Sequence, residues 1–147
     1  MEIRNRSASY EYYIEERYDA GMVLSGTEVK SIRDGKVSFN DSFCLIDKGE
    51  IWVKNLHIAE YTFGTYANHP AVRDRKLLLK KKEIRKLINK LKDKGYTIIP
   101  LKIWFSDKGF AKIQIGLARG KKLHDKRASV KEREAKKELR HFTNKYK

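Results

Sequence analysis

The sequence predicts a mainly β domain with flanking helices, an OB-like closed Greek-key barrel of about six strands, followed by a flexible basic C-terminal tail. Three observations carry this. Short runs that alternate apolar and polar residues at strand period are separated by Gly, Asp and Asn turns. Helical spacing appears in two places before the tail, once early and once between strands. After Leu117 apolar residues nearly vanish, and residues 119–147 carry twelve basic against four acidic side chains, about half of a net charge of +15. The barrel is therefore assigned to 1–118 and the tail to 119–147.

The elements follow in order. Residues 1–9 are polar and read as a mobile terminus. Tyr12 to Leu24 interleaves aromatic and apolar residues with acids, as a long bent strand does; Gly21 marks a bulge or a close backbone approach. Gly26 breaks it, Thr27 caps a short helix over Glu28 to about Asp34, and Gly35 ends that helix in the left-handed conformation. Ser42 to Ile46 and Ile51 to Leu56 pair as a hairpin around Asp47-Lys48-Gly49-Glu50. Ile58 to Tyr66 is another strand or a structured loop, and Asn68-His69-Pro70 is a turn.

Arg73 to Lys76 leads through Leu77-Leu78-Leu79 into a helix of about four turns, where Ile84, Leu87, Ile88 and Leu91 share a face and Gly95 terminates. Tyr96 to Phe105 is a strand with Ile99, Leu101, Ile103 and Phe105 on one face, and Pro100 argues for an edge or a bulge. Asp107-Lys108-Gly109 turns into Phe110 to Leu117, where Ala111, Ile113, Ile115 and Leu117 alternate with Lys112 and Gln114. In the tail, Ser129 and Glu132 fit a capping box, and Ala135, Leu139, Phe142 and Tyr146 form a thin apolar stripe. That stripe buries too little to offset ordering costs of roughly 1–2 kcal/mol per residue. The tail is expected to be disordered alone and helical when bound.

At 147 residues and 40% apolar content the chain builds one core, so global disorder is excluded. Its large positive imbalance calls for a polyanion, and nucleic acid fits better than an anionic membrane surface. Cys44 is the one cysteine, which rules out an intrachain disulfide and a cysteine zinc site. His57, His69, His124 and His141 are scattered without ligand spacing, and no phosphate loop, dinucleotide fingerprint or nucleophile motif occurs. Glu15, Glu16, Asp19 and Glu28 could suggest a nuclease metal cluster, but strand edges and helix ends supply acids routinely. No metal, cofactor or catalysis is expected. The absence of a signal region or a run of membrane-span length points to the cytoplasm.

Phosphate contacts need clustered cations, and base contacts need stacking surfaces. Three clusters stand out: Lys30-Arg33-Lys36, Arg73-Arg75-Lys76-Lys80, and the tail, including Lys131, Lys136 and Lys137. Among the interleaved aromatics, Tyr10 and Tyr66 are the expected exposed rings; the others read as core or barrel wall. The run Gly120-Lys121-Lys122-Leu123-His124-Asp125-Lys126-Arg127 combines a glycine pivot, cations for phosphates and an imidazole that can stack.

At these residues the sequence resembles the small protein B family, the transfer-messenger RNA-binding proteins of bacterial trans-translation. The resemblance rests on Asp19-Ala20-Gly21, Gly26 through Arg33, Asp41-Ser42-Phe43, Arg75 through Leu79, and Gly116 through Arg127. It implies an OB barrel that binds the tRNA-like domain of transfer-messenger RNA and a tail that enters the decoding centre and empty mRNA channel of a stalled ribosome. Delivery with elongation factor Tu and GTP is also implied. By position, Asp19, Leu78 and Lys80 match family sites for transfer-messenger RNA, although some members carry Asn where Lys80 stands. Tyr10 stands where some members have His, and Ala135 where some have Trp. Gly120, His124, Asp125, Lys126 and Arg127 match the ribosome-facing motif.

The expected site is thus Tyr10, Asp19, Glu28, Lys30, Arg33, Lys36, Arg75, Lys76, Leu78 and Lys80 for the tRNA-like domain. For the ribosome it is Gly120 through Lys122, His124 through Arg127, Lys131, Lys136 and Lys137. The chain is expected to act as a monomer. The alternative reading is a ribosomal structural protein with a basic extension.

Overall fold

The computed structural model describes residues 1–64 and 68–121. Its elements are β1 (Glu2–Arg4), α1 (Ala8–Glu11), β2 (Tyr12–Met22), α2 (Gly26–Arg33), β3 (Val37–Ser38), β4 (Phe43–Asp47), β5 (Glu50–Lys54), β6 (His57–Ile58), β7 (Arg75–Leu78), α3 (Lys81–Leu91), β8 (Tyr96–Phe105) and β9 (Ala111–Gly120). Antiparallel pairing runs β8-β4-β5-β7-β2-β9 and returns from β9 to β8, a barrel-like ring of six strands. The expected mainly β, OB-like architecture is what the chain adopts. β3 and β6 form a separate two-stranded sheet, so the stretch from Ile58 is mostly loop where described.

The inside of the ring holds the core. Ile51, Val53, Ile98, Ile103, Ile113 and Ile115 are buried there, with Ile32 of α2 and Leu87 of α3 packed against them. The β4–β5 hairpin turns through Lys48 (φ 52) and Gly49 (φ 77), both in the left-handed region that a two-residue turn of this kind requires.

Several expectations are corrected. The terminus is anchored: β1 pairs with β8, the Asn5 N–H donates to the Leu101 carbonyl at 2.8 Å, and Ala8 is buried. A length of β8 beyond its pairing with β4 supplies the partner, which local sequence does not show. The bulge in β2 lies between Ile14 and Glu16, and of the two readings of Gly21 the bulge fails while Leu78 of β7 packs over the glycine. Ser25, not Thr27, caps α2, in a capping box with Glu28. Residues 75–78 form the strand β7 instead of a mere lead-in, and α3 has eleven residues, about three turns. Pro100 does mark a bulge, which shifts register before Lys102. Ile99 and Leu101 consequently leave the face of Ile103 and join a second cluster with Ala8 and Ala118 on the outside of the sheet.

Candidate nucleic-acid interface

The outer face of the ring is built in cross-strand rows. One row runs Arg4, Lys102, Gln114, Asp19 across β1, β8, β9 and β2. The next runs Trp104, Lys112, Gly21, Leu78, ending on β7. Neighbouring strands lie about 4.8 Å apart, so each row is a short track of adjoining side chains. Asp19 is exposed and accepts from Gln114 Nε2 at 3.2 Å. Leu78 covers Gly21, where an added Cβ would sit 3.4 Å from Leu78 Cβ, yet 53% of the leucine remains exposed.

Lys80 follows at the N-terminus of α3. Its N–H donates to Glu83 Oε1 at 3.3 Å, and its side chain is exposed. Asp19, Leu78 and Lys80 therefore share one accessible side of the molecule through the β2–β7 pairing. Lys76 is half-buried, opposite Trp52, with its ammonium 3.1 Å from Glu50. Tyr10, half-buried on α1, precedes the other end of β2, roughly 20 Å along the strand from Asp19.

Glu28 and Arg75, expected among the RNA-binding residues, do not reach the surface. Both side chains are fully buried. Arg75 donates to Glu28 Oε2 and to the Leu56, Arg73 and Ala71 carbonyls, while Arg73 donates to both carboxylate oxygens, with Nε 3.1 Å from Oε2 and Nη2 on Oε1. Burial pushes the Glu28 carboxyl pKa up, but hydrogen bonds from Arg73, the Ser25 N–H and Arg75 outweigh it and hold the value at about 2. Burial in turn lowers the Arg75 pKa, against the opposing pull of Glu28. The two side chains form a buried strut that ties α2 to β7 and the chain before it. The spacing Ser25-x-x-Glu28 carried a signal for half of this, as a capping box. His69 extends the network: Nε2 donates to the Ile58 carbonyl at 3.0 Å, and Nδ1 meets the Thr27 hydroxyl at 2.9 Å.

The cations at the end of α2 and just beyond it are exposed and backed by aromatic and hydroxyl groups. Lys30 lies 5.3 Å from the Tyr61 ring centre, Arg33 lies 4.3 Å from that of Phe105, and Lys36 donates to Thr62 at 3.1 Å. Phe63, read from sequence as core or wall, is 81% exposed and meets Tyr61 edge-on. Its place in a Thr62-Phe63-Gly64 turn, outside any alternation, was the missed signal. Tyr66 lies outside the described residues.

At the tail junction, β9 continues past Leu117 to Gly120, which pairs with Tyr12. The Lys121 N–H donates to the Glu11 carbonyl at 2.9 Å, and its ammonium lies 4.9 Å from the Tyr13 ring centre. The remaining expected tail sites, Lys122, His124, Asp125, Lys126, Arg127, Lys131, Lys136 and Lys137, lie outside the described residues, as does the Ser129–Glu132 box. Among the described residues, no three His, Cys, Asp or Glu side chains group as a metal set. No helix there is long and apolar enough to cross a membrane.

A small OB-like ring with exposed cations, aromatic rings and an apolar contact on its outer face has the build of a nucleic-acid-binding module. The family model described as SmpB protein matches residues 2–145, and the chain belongs to that family. An SsrA-binding protein of Parabacteroides distasonis is 50% identical, with 95% of this chain and 91% of the relative covered. That of Geobacter sulfurreducens is 53% identical over 92% of this chain and 88% of its own. A solved chain described as "tmRNA-SmpB: a journey to the center of the bacterial ribosome" aligns with a TM-score of 0.72 and 49% identity, covering 88% of this chain and 94% of that one.

Proposed function

We propose that the chain is a transfer-messenger RNA-binding protein of trans-translation, with no catalytic step of its own. The observation that carries this is the accessible grouping of Asp19, Leu78 and Lys80, at positions that match the family's RNA sites. Leu78 gives a ribose or base an apolar surface. Asp19 accepts from a 2′-hydroxyl or base amino group, and Lys80 takes a phosphate. The body binds the tRNA-like domain, and the tail enters the decoding centre and empty mRNA channel of a stalled ribosome. A basic segment occupies that rRNA-lined channel only where message is absent, because the two compete for the same space and charge. The protein acts as a monomer in the cytoplasm, and elongation factor Tu with GTP delivers the complex.

Sequencing the RNA that co-purifies with the intact protein tests this. The expected result is one dominant species with a tRNA-like end, with binding weakened about tenfold or more by Leu78→Asp, roughly 1.4 kcal/mol. Ribosomal RNA in its place, retained at high salt, would mean a ribosomal structural protein.

A further inference from the structure

Beside the Asp19–Leu78 grouping the outer face continues into an open cleft of about 720 Å³. It lies between the anchored N-terminal segment and strands β2, β8 and β9. Arg4, Arg6, Arg17 and Lys102 line it, with Gln114 between them and Asp19. We propose that this cleft holds the phosphodiester backbone of the same RNA, as a second contact beyond the Asp19, Leu78 and Lys80 positions; the inference rests on the proposed function.

Three features argue for a polyanion. Arg6 and Arg17 are exposed, and neither has a hydrogen-bond or ion-pair partner among the described residues. Arg4 and Lys102 share a single carboxylate, Glu2, at 2.9 Å and 3.4 Å, so this pair of cations is only half neutralised. The cations also stand on an ordered support. Arg4 and Lys102 are directly paired across β1 and β8, and Arg17 lies two residues from Asp19 on the same face of β2. Arg6 follows Asn5, whose side chain donates to the Pro100 carbonyl at 2.8 Å.

The span from β1 to β2 is three strand spacings, about 14 Å. That is too wide for one phosphate and suited to a run of them. The floor is apolar because Gly116 has no side chain and Ile14 and Leu101 fill its place, which suits the sugar edge between phosphates. In the linear sequence Arg17 follows two glutamates, and the other cations are far away, so no cluster is visible there.

The full chain should be titrated against a labelled tRNA-like-domain transcript over a range of salt concentrations. R6Q/R17Q is expected to weaken binding at least tenfold and to lower the log–log salt slope by about 1.4 to 1.8, two phosphate contacts at roughly 0.7 to 0.9 each. Glu2→Gln is expected to tighten binding, by releasing Arg4 and Lys102. K48Q/K108Q makes the same change in net charge at two exposed turns and is expected to leave the slope unchanged. A slope for R6Q/R17Q equal to that of the wild type or of K48Q/K108Q, with Leu78→Asp still weakening binding, overturns the inference alone. A wild-type chain that does not bind the transcript overturns the proposed function and this inference together.

Discussion

Glu28 accepts from two guanidinium groups and one backbone N–H while its own side chain is wholly buried. A buried pair of this kind contributes little beyond what a well-packed apolar core would, but removing one partner strands the other charge. Glu28→Gln leaves Arg75 unpaired inside the protein and is expected to cost about 3–5 kcal/mol in urea denaturation. The pH dependence has a fixed sign. The carboxyl titrates at about 2 folded, against its ordinary value of 4.5, so its contribution is full above about pH 4.5 and disappears as pH falls toward 2. Wild-type stability should therefore drop through that window, and the Gln variant should drop less. Parallel curves for the two proteins would mean that Glu28 is not the acid-sensitive group. The same network explains a limit of sequence reading: Arg75 sits in a cationic run, and only the tertiary position of Leu56 and Glu28 shows that it faces inward.

At the scale of elements, the sequence revealed most of the ring. Alternation in Ala111 to Leu117 and the turn at Asp47 to Glu50 were sufficient, because each depends on residues close together in the chain. What was not legible depends on distant partners. β1 has three residues and no turn signal of its own, and the Pro100 bulge reverses the facing of Ile99 and Leu101 without disturbing their spacing. Gly116 belongs with these. It lies in a plain strand pattern, yet an added Cβ would come 2.9 Å from Ile14 Cγ2 and 3.0 Å from Leu101 Cδ1. Gly116→Ala is expected to cost about 1–3 kcal/mol through overpacking between β2, β8 and β9. Gly26→Ala, where nothing lies within 4 Å, should differ little from wild type. Equal urea midpoints for the two variants would remove the close approach as the reason for a glycine at 116.

At the scale of the whole molecule, the division between body and tail turns on where the body ends. Composition placed the border after residue 118, but β9 pairs with β2 through Gly120 and the backbone of Lys121 bonds to Glu11. A cut after residue 118 would strip three residues from the edge of the ring, and its effect on RNA binding would confuse lost structure with lost contacts. The informative truncation ends at Lys121. It leaves both outer-face rows and the α2 cations intact, and it removes ten basic and four acidic side chains. Under the proposed division of labour, this variant binds the tRNA-like domain with a salt slope close to that of the full chain, because each lost phosphate contact would lower the slope by about 0.7 to 0.9. It should also fail to support tagging on ribosomes stalled at the end of a message. If the slope falls by several units, the tail holds transfer-messenger RNA and the two roles are not separate. If tagging persists, the ribosome reads the body alone.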